Sequence, residues 1–187
     1  MVEKAVAFAT RCHAGTYRKG TRIPYIVHPL ETAVITSMMT KEEDMICAAL
    51  LHDVVEDAGV TKDQLSKEFG VHVAQLVMDE TEDKTKSWKE RKCNTLNHLK
   101  FASREGKILV LADKLSNLRT TARDYLLLGD EIWDRFHEKD RNQHAWYYVG
   151  VLECLTELED YPAYEEYRNL CKLVFGQELE RKKRLDQ

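Results

Sequence analysis

The stretch from Lys107 to Tyr125 carries apolar side chains on nearly every side of a helix. A helix that is apolar all round has to be buried, so other helices must pack around it. The 187 residues contain only 3 Pro and 8 Gly, and runs of alternating β-branched residues are scarce. The chain is therefore predicted to be all-α, with roughly eight to ten helices in a single domain.

Helix boundaries follow from caps and helix breakers. The first helix is expected to end near His13, and His13 is expected to be its C-cap. Thr40 with Glu43 forms the pattern of a capping box ahead of a central helix, and Thr61 with Gln64 forms another. We expect one folded domain over residues 1–176 and a charged helical tail over residues 177–187.

Composition excludes several classes of protein. No stretch approaches the roughly 18 apolar residues that a membrane span needs, and the short apolar run near the start is too short for a signal peptide. The five cysteines are widely spaced and odd in number, which is typical of reduced thiols in a cytoplasmic protein. The net charge of -4 argues against nucleic-acid binding. Oligomeric state stays open.

Asp113 lies in the middle of the apolar helix. A carboxylate in such a place needs a cation or strong hydrogen bonds. A metal ion fits, and so does a salt bridge from Lys114 or Arg119, although helical spacing puts these two on a different face. Asn117, one turn further on, is expected to point into the same site.

A second apolar run ends in the sequence LLHDVVEDAG. If one helix continues through it, Asp53 stacks on Asp57 and His52 stacks on Glu56. Carboxylates this close repel one another. Without a counter-charge, removing each of them from water costs several kcal/mol of free energy. A divalent cation supplies that charge, and adjacent His and Asp offer it nitrogen and oxygen ligands. A solvated acidic patch at a helix end is the alternative.

Basic residues gather in the loop AGTYRKGTRIPYIVHP, where Gly and Pro exclude a regular element. Arg18 and Lys19 lie in it, and His28 lies at its end, just before a proline that suits the first turn of a helix. The loop is either a solvated surface or an anion site whose Arg can also stack on a base. Lys84, in a later loop, is of the type that binds phosphate.

His28, His52, Asp53 and Asp113 together form an H…HD…D set, which suits Mn²⁺, Fe²⁺ or a similar ion. With RKGTRIPYIVHP, LLHDVVEDAG and ILVLADKLSNLRT, the set resembles the hydrolase domain of the RelA/SpoT alarmone enzymes in the HD-domain superfamily. The segment ETEDKTKSWKERK is similar to small stand-alone relatives, among them the metazoan SpoT homologue. The resemblance covers most of residues 2–155 and implies the helical HD-domain fold.

This resemblance implies hydrolysis of the 3′-pyrophosphate of ppGpp or pppGpp to GDP or GTP and pyrophosphate. It makes the H…HD…D set the ligands of one Mn²⁺. It gives Glu56 and Asp57 the task of positioning and deprotonating the attacking water. The residues that it places on the nucleotide are Arg18, Lys19, Lys84, Asn117, Thr120 and Arg141.

Two segments depart from the family pattern. The common VTDDK reads ETEDK here, and RxxxYxxW aligns with RNQHAWYY in more than one register, which leaves the role of Arg141 open. Because stacking by Arg18 does not distinguish guanine from adenine, a phosphatase acting on another purine nucleotide such as NADPH is a second prediction. A non-catalytic alarmone-binding regulator is a third, but such a protein should have lost a metal ligand or an acidic residue of the ED pair.

Overall fold

The chain folds into ten α-helices and two short 3₁₀ segments, in a computed structural model that describes the backbone of residues 1–185 and the side chains of residues 1–176. Among these residues no β-strand forms apart from one isolated bridge, so the predicted all-α class is confirmed. The 3₁₀ segments are Gly129–Arg135 and Thr156–Leu158. The helices are α1 (Val2–Cys12), α2 (Val27–Met39), α3 (Glu43–Leu51), α4 (Val54–Ala58), α5 (Lys62–Phe69), α6 (Val71–Glu80), α7 (Trp88–Leu99), α8 (Arg104–Leu128), α9 (Arg141–Cys154) and α10 (Pro162–Leu185).

Helix α8 lies at the centre, as its all-round apolar pattern predicts. It packs against α2 and α10, and also contacts α3 and α6. Ser103 caps its N-terminus by accepting a hydrogen bond from the Gly106 backbone N–H. Leu111, Leu115 and Leu118 are fully buried, and each contributes about 1.5–3 kcal/mol through the apolar surface it removes from water.

The HD doublet lies at a break between two helices, so the prediction of one continuous helix is wrong. Helix α3 ends at Leu51 and α4 begins at Val54. In an unbroken helix the Ala49 carbonyl would accept a hydrogen bond from the Asp53 backbone N–H. His52 Nδ1–H donates to that carbonyl instead, at 2.8 Å, and a side chain that takes over a backbone acceptor in this way competes with the helix.

Two of the three expected caps are confirmed. His13 is the C-cap of α1, and the capping box that opens α5 has both of its hydrogen bonds. The box expected at Thr40 and Glu43 does not form, because Thr40 Oγ1 accepts from the Glu42 backbone N–H at 3.2 Å and α3 begins without a side-chain cap.

Helix α10 contains a kink at Phe175, where φ is -124°. The expected division at residue 176 stays a prediction, because the side chains of the charged tail lie outside the described residues. Within the described part of the chain, no helix has both the length and the apolar character to cross a membrane.

Core packing around α8 can be tested with two leucines of that helix. Leu111 is fully buried, whereas Leu126 is 68% exposed. We expect Leu111→Ala to lower the free energy of unfolding by about 2–5 kcal/mol, because it removes apolar contacts and leaves a cavity. Leu126→Ala should change it by less than about 0.5 kcal/mol. Urea denaturation measures both, and equal losses would contradict the central position of α8.

Candidate metal centre and nucleotide pocket

Four side chains from three parts of the fold converge beside the middle of α8. His28 comes from the first turn of α2, His52 and Asp53 from the turn between α3 and α4, and Asp113 from α8 itself. His28 Nε2 lies 3.2 Å from His52 Nε2 and 3.1 Å from Asp113 Oδ1. Asp53 Oδ2 lies 2.9 Å from His52 Nε2. The structure therefore brings the predicted H…HD…D set together.

Outer hydrogen bonds direct both imidazoles toward the centre of this cluster. Ser116 Oγ–H donates to Glu31 Oε2 at 2.8 Å, so the same oxygen accepts from His28 Nδ1–H, also 2.8 Å away. His52 Nδ1–H donates to the backbone carbonyl of Ala49. A neutral imidazole carries one N–H, so a neutral ring at either position turns an Nε2 lone pair toward the carboxylates. Such outer partners typically orient histidine ligands of metals.

Charge in the cluster calls for a cation. Burial lowers the pKa of His28, which keeps that ring neutral. Burial also lowers the pKa of His52, but the carboxylates of Asp53 and Asp113 outweigh it and raise that pKa to about 10. A proton on His52 and a divalent ion thus compete for the same two carboxylates. Two imidazole nitrogens and two carboxylates fit a divalent transition metal.

Asp113 also forms an ion pair with Lys114, the next residue on α8. The prediction that Lys114 lies on a different face is wrong, because its flexible four-carbon stem lets the ammonium reach back. Burial lowers the pKa of Lys114, but Asp113 raises it well above its ordinary value, so the lysine stays charged. Arg119 does lie elsewhere and pairs with Glu31 and Glu166.

Glu56 and Asp57 lie on α4, and the loop after α6 holds them. The Glu82 backbone N–H donates to Glu56 Oε1 at 2.8 Å. Lys84 Nζ donates to Asp57 Oδ1 at 2.9 Å and lies 3.6 Å from Glu56 Oε2. Burial raises the pKa of Glu56, which suits a group that accepts a proton near neutral pH. The ETEDK loop therefore brings its lysine to the carboxylate pair.

His13 is buried beside the same pair. Its Nδ1 lies 4.0 Å from Asp57 Oδ2, and its ring centre lies 4.9 Å from that of Tyr25. Within the described part of the chain, neither ring nitrogen has a hydrogen-bond partner. His13 is thus both a helix cap and a residue of the site, although the sequence favoured the cap alone.

Hydrogen bonds connect the cluster to the basic loop. Tyr25 O–H donates to Asp53 Oδ2 at 2.7 Å, and Asn117 Nδ2 donates to Asp113 Oδ1 at 2.6 Å. Arg18 Nη2 in turn donates to Asn117 Oδ1 at 2.9 Å. No role was assigned to Tyr25 from the sequence. Its position three residues before His28 was the one feature of the sequence that could have placed it near the metal cluster.

A pocket of about 190 Å³ opens beside this hydrogen-bond chain. Four of the predicted nucleotide contacts line it, namely Arg18, Lys19, Asn117 and Thr120. A neighbouring compartment of about 150 Å³ shares part of its wall and contains three lysines, Lys19, Lys92 and Lys114. Lys84 lines neither space and contacts the Glu56–Asp57 pair.

Arg141 also lies outside the lining of both pockets, and its contact with the nucleotide stays a prediction. It is the first residue of α9, and its guanidinium contacts Asp130 and the Val174 carbonyl. His144 and Tyr148, one turn apart further along α9, line the pockets instead.

The model of the HD domain family matches residues 5–127 of this chain. That range includes the whole H…HD…D set and the Glu56–Asp57 pair. The chain belongs to the HD-domain family.

Relatives of this HD-domain protein include RelA/SpoT-type enzymes. It is 39% identical over 126 residues to guanosine-3′,5′-bis(diphosphate) 3′-pyrophosphohydrolase MESH1 of Xenopus tropicalis, covering 66% of this chain and 70% of the relative. It is 30% identical over 191 residues to guanosine-3′,5′-bis(diphosphate) 3′-pyrophosphohydrolase of Aquifex aeolicus (strain VF5). That match covers 91% of this chain but only 26% of the longer relative. The RelA/SpoT-type resemblance is thereby confirmed.

Two solved structures share the fold. One is lmo0812 from Listeria monocytogenes EGD-e, with 35% sequence identity, a TM-score of 0.74 and coverage of 80% of this chain and 99% of the other. The second is a metazoan orthologue of SpoT that hydrolyses ppGpp, with 27% identity, a TM-score of 0.75 and coverage of 94% of both chains. The HD-domain fold thus extends over nearly the whole chain.

Proposed function

We propose that this HD-domain protein hydrolyses the 3′-pyrophosphate of ppGpp and pppGpp, releasing pyrophosphate and GDP or GTP. The names of its MESH1 and bacterial relatives support this activity. The observation that carries the proposal is one juxtaposition. The buried His–Asp cluster lies next to the Glu56–Asp57 pair, and hydrogen bonds join it to a pocket that contains Arg18 and Asn117.

His28, His52, Asp53 and Asp113 are the proposed ligands of one divalent ion. Their mixed nitrogen and oxygen donors suit Mn²⁺ or Fe²⁺, and we propose Mn²⁺ because of the resemblance to the alarmone hydrolases. When bound, such an ion supplies a Lewis acid that acidifies water and offsets phosphoryl charge. The hydrogen bonds that the imidazoles donate to Ser116 Oγ and to the Ala49 carbonyl hold both rings in place before substrate arrives.

Glu56 is the proposed proton acceptor, because burial raises its pKa toward the working range. The oxygen of water forms a bond to the phosphorus next to the ribose 3′-oxygen, and the bond between that phosphorus and the 3′-oxygen breaks. The proton lost by water passes to Glu56 and from there to the departing ribose 3′-oxygen, which leaves as a hydroxyl. Lys84 and the Glu82 backbone N–H hold the acidic pair in position. Asp57 orients the same water.

Nucleotide binding is assigned to the basic loop and to α8. The Arg18 guanidinium, 5.7 Å from the Tyr25 ring centre and bonded to Asn117, stacks on the base. Asn117 and Thr120 contact the ribose. Lys19 and the other lysines of the neighbouring compartment supply the positive charge that a polyanion needs on a net-negative protein.

The test is release of pyrophosphate from ppGpp by the purified protein with Mn²⁺, beside an Asp53→Ala variant. We expect pyrophosphate and GDP from the wild type alone. NADPH is the second substrate, and release of phosphate from it with ppGpp untouched would replace the proposal by a phosphatase of other purine nucleotides. Tight ppGpp binding without turnover would replace it by a regulator, although all six ligand and acidic residues are present.

We further propose a cytoplasmic location. All five cysteines are free thiols in the structure, and two of them, Cys47 and Cys171, are buried. Free buried thiols are typical of a reducing compartment.

A further inference from the structure

We infer that Arg135 reads the base of the bound nucleotide and makes the pocket selective for guanine over adenine. The inference rests on the proposed function, because it assigns the base end of the same pocket. Arg135 ends the 3₁₀ segment Gly129–Arg135 and lines the pocket together with Arg18 and Asn117.

Arg135 is held in place from two sides. Its Nη1 donates to Asp124 Oδ2 at 2.9 Å, and the other oxygen of Asp124 accepts from Arg123. Gly20 of the basic loop packs against its stem, since a Cβ at Gly20 would lie 2.6 Å from Arg135 Cδ. A guanidinium has five N–H donors in a rigid fork. The side chain is 29% exposed and lines the pocket, so the N–H groups that Asp124 does not take are left for a ligand.

Helix α8 spaces this arginine correctly from the metal cluster. Asp113, Asn117, Thr120 and Asp124 follow one another at intervals of three or four residues, so they share one face of the helix. From Asp113 to Asp124 the helix rises about 16 Å. A nucleotide whose 3′-pyrophosphate meets the cluster therefore extends its base along α8 toward Asp124 and Arg135.

The surroundings of Arg135 suit a planar base better than a phosphate. Ile132, Phe136 and Tyr148 form apolar and aromatic wall on this side. The Asp124 carboxylate beside the guanidinium repels an anion. Lysines supply the positive charge for phosphates in the neighbouring compartment. The end of the pocket next to Arg135 is therefore assigned to the base.

Base chemistry gives the direction of selectivity. Guanine presents two acceptors, O6 and N7, to which an arginine donates two parallel hydrogen bonds. Adenine carries an amino group in place of O6. At the same guanidinium this amino N–H would face an arginine N–H, and two donors cannot form a hydrogen bond. A bidentate contact of this kind discriminates by roughly 5- to 150-fold.

Equilibrium binding of GDP and ADP tests the inference without any turnover. Titration calorimetry on the full chain should give tighter binding of GDP by the wild type and nearly equal binding of the two by Arg135→Leu. Arg135→Lys keeps the charge but loses the fork, so it should also lose the preference. The matched control is Lys139→Leu, a nearby residue whose side chain is 66% exposed, and it should behave as the wild type.

A pair of glycine variants gives a second, independent measurement. Gly15 and Gly20 both have positive φ, at 76° and 67°, so Ala is strained at both. Only at Gly20 does the new Cβ meet Arg135, because nothing lies within 4 Å of a Cβ at Gly15. Gly20→Ala should therefore weaken the preference for GDP, and Gly15→Ala should preserve it.

Kinetics separate this inference from the proposed function. Arg135→Leu should lower kcat/KM for ppGpp by roughly 5- to 150-fold and leave hydrolysis of adenosine 3′,5′-bis(diphosphate) nearly unchanged. Equal losses on both substrates, or equal binding of GDP and ADP by the wild type, would overturn the role of Arg135. A protein that prefers GDP through Arg135 but does not hydrolyse ppGpp would overturn the proposed function alone.

Discussion

We expect Asp113→Asn to remove both the divalent ion and the hydrolysis of ppGpp. The carboxylate lies 3.1 Å from His28 Nε2 and 3.7 Å from His52 Nε2, so like Asp53 it faces both imidazoles. Asparagine keeps the shape but loses the charge, and it can turn a donor toward Lys114. Replacing outer-shell partners alone costs about 10- to 100-fold in metal affinity or activity. We therefore expect kcat/KM to fall by at least about 1,000-fold.

The measurements are metal content after dialysis and initial rates with saturating Mn²⁺. Ser116→Ala, which removes the acceptor for His28 Nδ1–H and the donor to Glu31, should cost about 10- to 100-fold. Asp160→Asn, at an exposed position, should behave as the wild type. Because Asp113→Asn leaves Lys114 buried without its partner, thermal unfolding must first show that the variant folds. An Asp113→Asn protein that binds Mn²⁺ like the wild type would exclude Asp113 as a ligand.

We expect Glu56→Gln to lower turnover but preserve the metal. Glu56 Oε1 accepts a hydrogen bond from the Glu82 backbone N–H, and the amide oxygen of glutamine can accept the same bond, so the geometry of α4 survives. The amide cannot accept a proton, and general bases contribute about 100- to 10,000-fold to a rate. We expect kcat to fall within that range while Mn²⁺ content and KM stay close to those of the wild type.

Two outcomes discriminate between possible roles of Glu56. Loss of Mn²⁺ in Glu56→Gln would make Glu56 a ligand, and an unchanged kcat would exclude it as the base and transfer that role to Asp57. Glu159→Gln, an exposed position remote from the site, is the matched control. Stopped-flow measurement of the first turnover separates the chemical step from product release.

Helical class and the central helix could be predicted because they depend on local pattern. The all-round apolar surface of α8 leaves no solvated side, so burial of Leu111 and Leu115 follows from sequence. Boundaries were less predictable. The break at His52 arises because one imidazole takes over the Ala49 carbonyl, and no propensity scale contains that competition.

Ligand types could be predicted because buried carboxylates and adjacent imidazoles need a cation wherever they occur. The roles of these residues in metal binding and catalysis stay predictions. The sequence could not predict which distant residues support these ligands. The hydrogen bonds between Tyr25 and Asp53 and between Ser116 and His28 join elements that are far apart in the chain. The contact of Arg141 with the nucleotide also stays a prediction, because spacing alone does not distinguish one register of a helix from another.

By itself, the sequence determined an all-α protein of the HD-domain family whose acidic and imidazole side chains demand a cation, since hydrophobic periodicity and residue chemistry act locally. Only the tertiary structure decided which side chains share a pocket. Arg135 and Lys114 are examples, because their partners are fixed by the packing of a 3₁₀ segment and by the reach of a buried side chain. Such contacts depend on positions in space, which spacing along the chain does not encode.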